Sequence, residues 1–187
     1  MIGVTDANID AGLAALAKEA GAAGSRPPVH LWNPPDCGES SIEIRADGSW
    51  WHEGARIGRP ALVRLFASIL RREADGEVYI VTPVEKMRVR VHDAPFLAIR
   101  ADRIGYGRDQ TIAFTTNVGD VVPAGRENPI RVMESGGAPR PYVMVREGLE
   151  ARILRAPFYE LAGWAEPHQG RLRIFSGGAA FDLGAAE

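Results

Sequence analysis

Short apolar stretches that alternate with turn signals run through most of the 187-residue chain, and they constrain its fold more than any other feature. Turn residues separate the stretches at Asp47-Gly48, Asn117–Asp120, Glu134–Gly137 and Ser176–Gly178. Connections this short join antiparallel neighbours, because a parallel pair needs a crossover of a dozen or more residues. No long series of strand–helix–strand crossovers is present. We therefore predict an α+β fold built on mainly antiparallel sheets.

Beyond residue 40, two segments of the chain have the apolar spacing of helices. Pro60 suits the first position of one helix, which we expect to continue to Gly76 with its apolar side chains on one face. These apolar residues are Leu62, Phe66, Ile69 and Leu70. The second pattern runs from Leu149 to Ala165, and Pro157 in its middle is expected to split or kink the helix.

Changes of composition predict three parts along the chain. Residues 1–40 are expected to form an N-terminal helix, capped by Thr5 or Asp6, and then a proline-rich arm. Residues 41–86 are expected to form an N-terminal α+β domain. Residues 87–187 are expected to form a C-terminal, mainly β domain with one or two helices.

The hairpin centred on Asp47-Gly48 brings two adjacent tryptophans into a strand whose side chains alternate between faces. A two-residue turn would place Trp51 in the core, opposite Ile44. Trp50 would then stack under Arg45 on the wetter face. A three-residue loop with a glycine bulge would shift the register by one residue, so that Trp50 opposes Ile44 instead. We favour the two-residue turn.

Charge and cysteine content argue against several classes of protein. The formal net charge is -2, so the total charge does not favour nucleic acid or an anionic membrane as a partner. Cys37 is the only cysteine, which excludes an intrachain disulfide and a four-cysteine zinc site. The first residues do not resemble a secretory signal, and no stretch reaches the ~18 apolar residues of a spanning helix. We expect a cytoplasmic protein with no nucleic-acid and no membrane partner.

Two segments of the chain resemble each other. YIVTPVEKMRVRVHDAPF begins at Tyr79 and YVMVREGLEARILRAPF begins at Tyr142, and both end in Ala-Pro-Phe. The match indicates an internal structural repeat, with chance similarity as the alternative.

The segments VTPVEK, TNVGD and PYVMVREGLEARI resemble an uncharacterised, mainly proteobacterial family that is known only as a conserved domain of unknown function. The resemblance spans Ile42 to Leu183. It implies two small roll-like α+β domains with recurring structural motifs, and a role in signal transduction through binding of a small ligand. The family brings no catalytic residue, and this chain has Asn128-Pro129 where the family often has His-Pro.

The four histidines do not form a metal motif. They are His30, His52, His92 and His168, with neither HxH nor HxxxH spacing. A carboxylate directly follows two of them, but neighbouring residues of a strand point to opposite faces and cannot chelate together. Cys37 lies outside any nucleophile motif. We predict no catalytic residue, no metal and no cofactor.

The segment Thr82–Lys86 is the first candidate for a ligand site. Thr82, Glu85 and Lys86 lie between two apolar strands, near the predicted boundary between the domains. Pockets form preferentially at such junctions. The structural alternative is an ion pair of Glu85 or Lys86 that locks the two halves together.

The second candidate consists of Asn117, Asp120 and Arg131, which lie in or near glycine-bearing turns. Backbone amides in such turns can bind an anion, and an ordinary hairpin turn is the alternative. We expect both candidates to meet around a small molecule at the domain junction.

Three functions are compatible with these observations. We favour a non-enzymatic module that binds or senses a small ligand. The alternative is a protein–protein interaction module that uses exposed Trp32, Trp50 and Arg45. A metal-dependent hydrolase acting through His52 or His92 is the third.

Overall fold

The computed structural model describes residues 26–186, and these residues divide into two units. The first unit takes residues 26–44 and 50–90, and the second takes residues 45–49 and 91–186. The N-terminal helix predicted from the sequence lies outside the described residues.

The first unit is built on a six-stranded sheet and one helix. Its strands are β1 (Asp36–Ile44), β2 (Trp50–His52), β3 (Ala55–Arg56), β4 (Leu70–Arg72), β5 (Val78–Val81) and β6 (Lys86–Val91), and helix α1 (Pro60–Ser68) follows β3. The strand order is β3-β2-β1-β6-β5-β4. Every residue of β5 is buried, as its continuous apolar sequence predicts for an internal strand.

The β1–β2 hairpin has the register that we did not favour. Ile44 pairs with Trp50, so the two-residue turn with Trp50 under Arg45 is wrong. Gly48 explains the difference: its φ of +79° is the left-handed conformation of the glycine in a three-residue loop with a bulge. Trp50 therefore faces the core. It is 1 % exposed, and its ring stacks on Phe66 with the centroids 6.3 Å apart and the planes at 11°.

Helix α1 ends at Ser68, well before the predicted end at Gly76. The residues that follow form β4, in which Leu70 pairs with Ile80 of β5. Asp75-Gly76 closes this hairpin instead of ending a helix, in keeping with its strength as a turn signal. The apolar spacing misled the prediction because a buried strand also places an apolar side chain at residue 70.

The second unit contains a six-stranded sheet, a three-stranded sheet and one helix. The larger sheet has β7 (Phe96–Ile104), β8 (Thr111–Thr116), β9 (Val121–Pro123), β10 (Ile130–Ser135), β11 (Ala138–Arg146) and β12 (Leu149–Ile153), in the order β10-β11-β12-β7-β8-β9. Helix α2 (Arg155–Trp164) follows, and the smaller sheet has β13 (Glu166–His168), β14 (Arg171–Ser176) and β15 (Ala179–Ala185). Phe96, Phe114 and Leu149 are among the fully buried side chains of its core.

Strand β12 and helix α2 replace the single long helix predicted from Leu149 to Ala165. Alternate residues of β12 are buried, and the strand pairs in parallel with β7. Helix α2 begins only at Arg155, so Pro157 lies in its first turn and does not kink it. The prediction failed because the strand depends on a partner far away in the sequence.

Both units are rich in strands, and residues 26–186 contain two α-helices. The predicted α+β class with mainly antiparallel pairing is confirmed. The internal repeat stays a prediction. In this part of the chain, neither helix is long and apolar enough to cross a membrane.

Candidate functional site

A groove of about 580 Å³ lies in the second unit, where β11, the end of β12 and the start of α2 meet. Its size falls in the range of pockets that hold small molecules. The lining residues are Ser135, Ala138, Pro139, Arg140, Pro141, Arg152, Ile153, Leu154, Arg155, Phe158 and Tyr159. Three of these are arginines and none is acidic, so the lining is cationic.

The groove forms where β11 and β12 cease to pair. β12 pairs with β11 as far as Arg152, opposite Tyr142, and α2 begins three residues later, at Arg155. The first residues of β11 continue beyond this point, paired only with β10 on their other side. The space left beside residues 138–141 is lined by Ile153, Leu154 and Phe158, which supply an apolar surface.

Of the three arginines that line the groove, Arg140 and Arg155 have no acidic partner among residues 26–186. Arg140 makes no hydrogen bond or ion pair with the part of the chain that the structure describes. Arg155 donates from Nε to the hydroxyl of Tyr159 (3.0 Å), and its guanidinium lies 5.6 Å from the ring centroid. Neither interaction neutralises a charge, so both guanidiniums keep their attraction for anions.

Arg152 is held in place by two groups. Its Nη2 donates to the carbonyl oxygen of Ala46 (2.9 Å), and its Nη1 lies 3.4 Å from Oδ2 of Asp93. The other oxygen of Asp93 accepts a hydrogen bond from the hydroxyl of Tyr142 (2.7 Å). Burial, and then this hydrogen bond, raise the pKa of Tyr142 above its ordinary value. The Asp93 carboxylate therefore balances the charge of Arg152 and orients it.

Within the segment Thr82–Lys86 of the first unit, residues 82–85 form a turn that is closed by hydrogen bonds among themselves. Thr82 is 6 % exposed, and its Oγ1 accepts hydrogen bonds from the N–H groups of Val84 (3.3 Å) and Glu85 (3.1 Å). The N–H of Thr82 donates to the carbonyl of Glu85 (2.9 Å). Local bonds of this kind satisfy the polar groups of a turn without any ligand.

Lys86 belongs to a cluster that anchors the proline-rich arm. Its Nζ lies 3.7 Å from Oε1 of Glu73 and 5.0 Å from the ring centroid of Tyr79. Glu73 also pairs with Arg71, which donates to the carbonyl oxygens of Val29 (2.6 Å) and Trp32 (2.7 Å). Lys86 therefore forms an ion pair within the first unit, with Glu73 as its partner, and a pair of Glu85 or Lys86 that locks the two halves together stays a prediction.

Tyr79→Phe is expected to flatten the alkaline loss of stability. The hydrogen bond from Tyr79 to Asp75, followed by burial, raises the pKa of Tyr79 from its ordinary value of 10.0 to about 12. The native state thus keeps a proton that the unfolded state loses, so this stabilisation is complete below about pH 10 and is lost as the pH rises through 12. Denaturant unfolding across this window measures the effect, and equal slopes for the variant and the wild type would contradict it.

Asn117, Asp120 and Arg131 also have partners inside their own unit. Asn117 Oδ1 accepts from the N–H of Leu97 (3.0 Å), and Asp120 Oδ2 lies 3.0 Å from Nη1 of Arg146. None of the three lines the groove.

Arg131 makes two hydrogen bonds to Glu150, one of them from Nη2 at 2.6 Å, and lies 4.5 Å from the ring centroid of Tyr142. The hydrogen bond to Glu150, the first of several causes, raises the pKa of Arg131. A common site of Arg131, Asn117 and Asp120 with Thr82–Lys86 stays a prediction.

The predicted interaction surface loses its central residue. Trp50 is 1 % exposed and cannot take part in an exposed surface, because the register of the hairpin turns it inward. Trp32 and Arg45 are half-buried.

Among residues 26–186, no three His, Cys, Asp or Glu side chains are grouped as a metal site would require.

Sequence reasoning missed Arg140, Arg152 and Arg155. One signal was available: Arg140 lies between Pro139 and Pro141, a pattern typical of a strand with a free edge. The predicted long helix concealed the other two, because a continuous helix from Leu149 would not have opened a groove between a strand and a helix.

Comparison with known proteins agrees with this two-unit structure. Residues 27–94 match the family model described as "Domain of unknown function (DUF1285), N-terminal domain", and residues 95–183 match "Protein of unknown function (DUF1285), C-terminal domain". No curated protein matches the chain significantly.

Two crystal structures of DUF1285 family proteins are similar to the chain. The one from Silicibacter pomeroyi DSS-3 is 47 % identical with a TM-score of 0.83, and the match covers 91 % of this chain and 94 % of that one. The one from Shewanella baltica OS155 is 26 % identical with a TM-score of 0.54, covering 68 % and 94 %. The resemblance seen in the sequence is confirmed, and the chain belongs to the DUF1285 family of proteins of unknown function.

Proposed function

We propose that the chain is a non-enzymatic module that binds a small anionic ligand in the groove of its second unit. The observation that carries this proposal is the lining of three arginines without any acidic residue in a groove of about 580 Å³. Guanidiniums match the planar geometry of carboxylate and phosphate oxygens, and they stay charged at all physiological pH values. The groove can therefore hold an anion without supplying a base.

A small molecule suits this groove better than a peptide strand. Pro139 and Pro141 pair with Glu134 and Val132 of β10, and a proline has no N–H to donate. These pairs are therefore non-hydrogen-bonded, with the backbone groups of both prolines directed away from β10. Pro139 and Pro141 offer an added strand their carbonyl oxygens on this edge but no N–H donor, so strand addition is disfavoured.

Arg155→Ala is expected to weaken the binding of phenyl phosphate about tenfold or more, since it removes a charge-assisted contact of about 1.5–3 kcal/mol. Isothermal titration calorimetry of the full chain measures the change. Arg100→Ala is the matched control, because Arg100 is an exposed arginine of the same unit that pairs with Asp102 (2.8 Å) outside the groove. Equal losses in both variants would point to non-specific attraction and contradict the proposal.

The wider role in signal transduction, implied by the resemblance, belongs to this proposal. In that role, a protein partner would bind the chain differently when the groove is occupied and when it is empty. A pull-down with and without phenyl phosphate tests this step, and recovery of the same proteins under both conditions would count against it.

We also propose that the two larger sheets repeat one structural unit. Each sheet consists of two sets of three consecutive strands. The first strand of the sheet lies beside the last, so β1 neighbours β6 in one sheet and β7 neighbours β12 in the other. The two similar sequences begin on corresponding strands, with Tyr79 on β5 and Tyr142 on β11. The N–H of Lys86 bonds to the carbonyl of Pro35, and the hydroxyl of Ser40 bonds to the carbonyl of Arg88. Residue numbers therefore increase in the same direction along β1 and β6, as they do in the parallel β7–β12 pair. Nuclear Overhauser contacts showing an antiparallel β1–β6 pair would contradict the repeat.

A further inference from the structure

We infer that the ligand of this groove carries two negative charges, an inference that rests on the proposed function and adds the charge class of the ligand. Three guanidiniums line the groove, but their charges are not equally available. Arg152 lies 3.4 Å from the carboxylate of Asp93, and the side chain of Asp93 is only 10 % exposed. The opposite charges of Arg152 and Asp93 therefore largely cancel, and the pair adds little net charge to the groove.

The remaining two charges are uncompensated. Within residues 26–186, neither Arg140 nor Arg155 forms an ion pair, and the partner of Arg155 is the uncharged hydroxyl of Tyr159. A monoanion would leave one guanidinium in the occupied groove without a counter-charge. A dianion would neutralise both, and its oxygens can accept forked hydrogen bonds from two planar donors. Phosphate monoesters and dicarboxylates share this chemistry.

The pH dependence of binding provides the sharpest test, because a phosphate monoester changes its own charge near pH 6. Its second ionisation has a pKa of about 6, whereas a phosphate diester stays a monoanion. Guanidinium groups in proteins stay charged over this range. The pKa of Tyr142, which faces Asp93, is raised further above it. The ligand therefore changes charge while the three cations of the groove do not.

Phenyl phosphate is expected to bind the full chain about tenfold more tightly at about pH 7.5 than at about pH 5, in proportion to its dianionic fraction. Phenyl methyl phosphate, the matched monoanion, is expected to bind weakly with a flat profile. The Asp93→Asn variant should keep the rise with pH, which assigns the rise to the ligand and not to this carboxylate. Arg140→Gln should reduce the advantage of the monoester over the diester to about threefold or less, since one cation remains unpaired.

The second part of the experiment compares the binding of phthalate and benzoate at about pH 7.5, because both are carboxylates but phthalate carries two negative charges and benzoate one. Tighter binding of phenyl phosphate alone assigns a phosphate monoester, and tighter binding of both dianions assigns the wider class. Monoanions that bind as tightly as the dianions, with the loss in Arg155→Ala retained, would overturn the charge inference and leave the groove as a binding site. Absence of binding by every probe would overturn the proposed function itself.

Discussion

Trp50→Ala is expected to lower the free energy of unfolding of the full chain by about 3–5 kcal/mol, the usual loss when a large aromatic side chain is removed from a core. Trp50 is 1 % exposed and stacks on Phe66, which is itself 6 % exposed. The substitution would leave a cavity between β2 and α1, and a helix of nine residues has few other contacts with which to compensate.

Trp51→Ala provides the matched control. Trp51 is the next residue along the same strand, is only half-buried, and pairs with Glu43 instead of Ile44. We expect its substitution to cost less than about 2 kcal/mol, because it already exposes part of its surface. Denaturant unfolding followed by circular dichroism measures both. A larger loss for Trp51 than for Trp50 would mean that the hairpin has the two-residue turn in solution.

The contrast between the tryptophans also shows where sequence reasoning reaches its limit. The alternation of β2 predicts that one of them is buried, and this is a local property of a strand. Which one is buried depends on a single extra loop residue, stabilised by the left-handed conformation of Gly48. Asp-Gly is compatible with both loop lengths, so the local signal cannot choose between them.

The groove was beyond prediction for a different reason. The hairpins β10–β11 and β14–β15 follow from turn residues within a few positions of their strands, and the sequence predicts both. Strand β12 instead takes its place from the parallel pair with β7, in which Ala151 lies opposite Phe96. Arg140 and Arg155 come together only once that pair has formed, so no local pattern brings them into one site.

Gly177→Ala is expected to lower the free energy of unfolding by roughly 3 kcal/mol, from two separate causes. The first is backbone strain: Gly177 has a φ of +55°, and a left-handed conformation costs another residue about 1–2 kcal/mol. The second is a steric clash. A Cβ at this position would lie 2.9 Å from the carbonyl oxygen of Ala124 and 3.3 Å from Cα of Gly125, and overpacking of this kind costs about 1–3 kcal/mol.

The surrounding hydrogen bonds leave little freedom to relieve that clash. The carbonyl of Ala124 accepts from the hydroxyl of Ser176 (2.7 Å), and the same hydroxyl accepts from the N–H of Ile112 (2.8 Å). The N–H of Gly177 donates to the carbonyl of Gln110 (3.1 Å). Moving the turn away from Ala124 would therefore stretch bonds on both sides of the contact, at groups with no access to water around the buried Ser176.

Gly178→Ala separates the two causes, because Gly178 is in the same two-residue turn with a φ of +73° and has open space where its Cβ would lie. Strain alone should then cost about 1–2 kcal/mol, and the difference between the two variants measures the contact with Ala124. Urea unfolding of both variants in the full chain provides the comparison. Equal losses would mean that the β14–β15 turn is not packed against Ala124 in solution, and that the smaller sheet is held to β8 by the bonds of Ser176 and Gln110 without that contact.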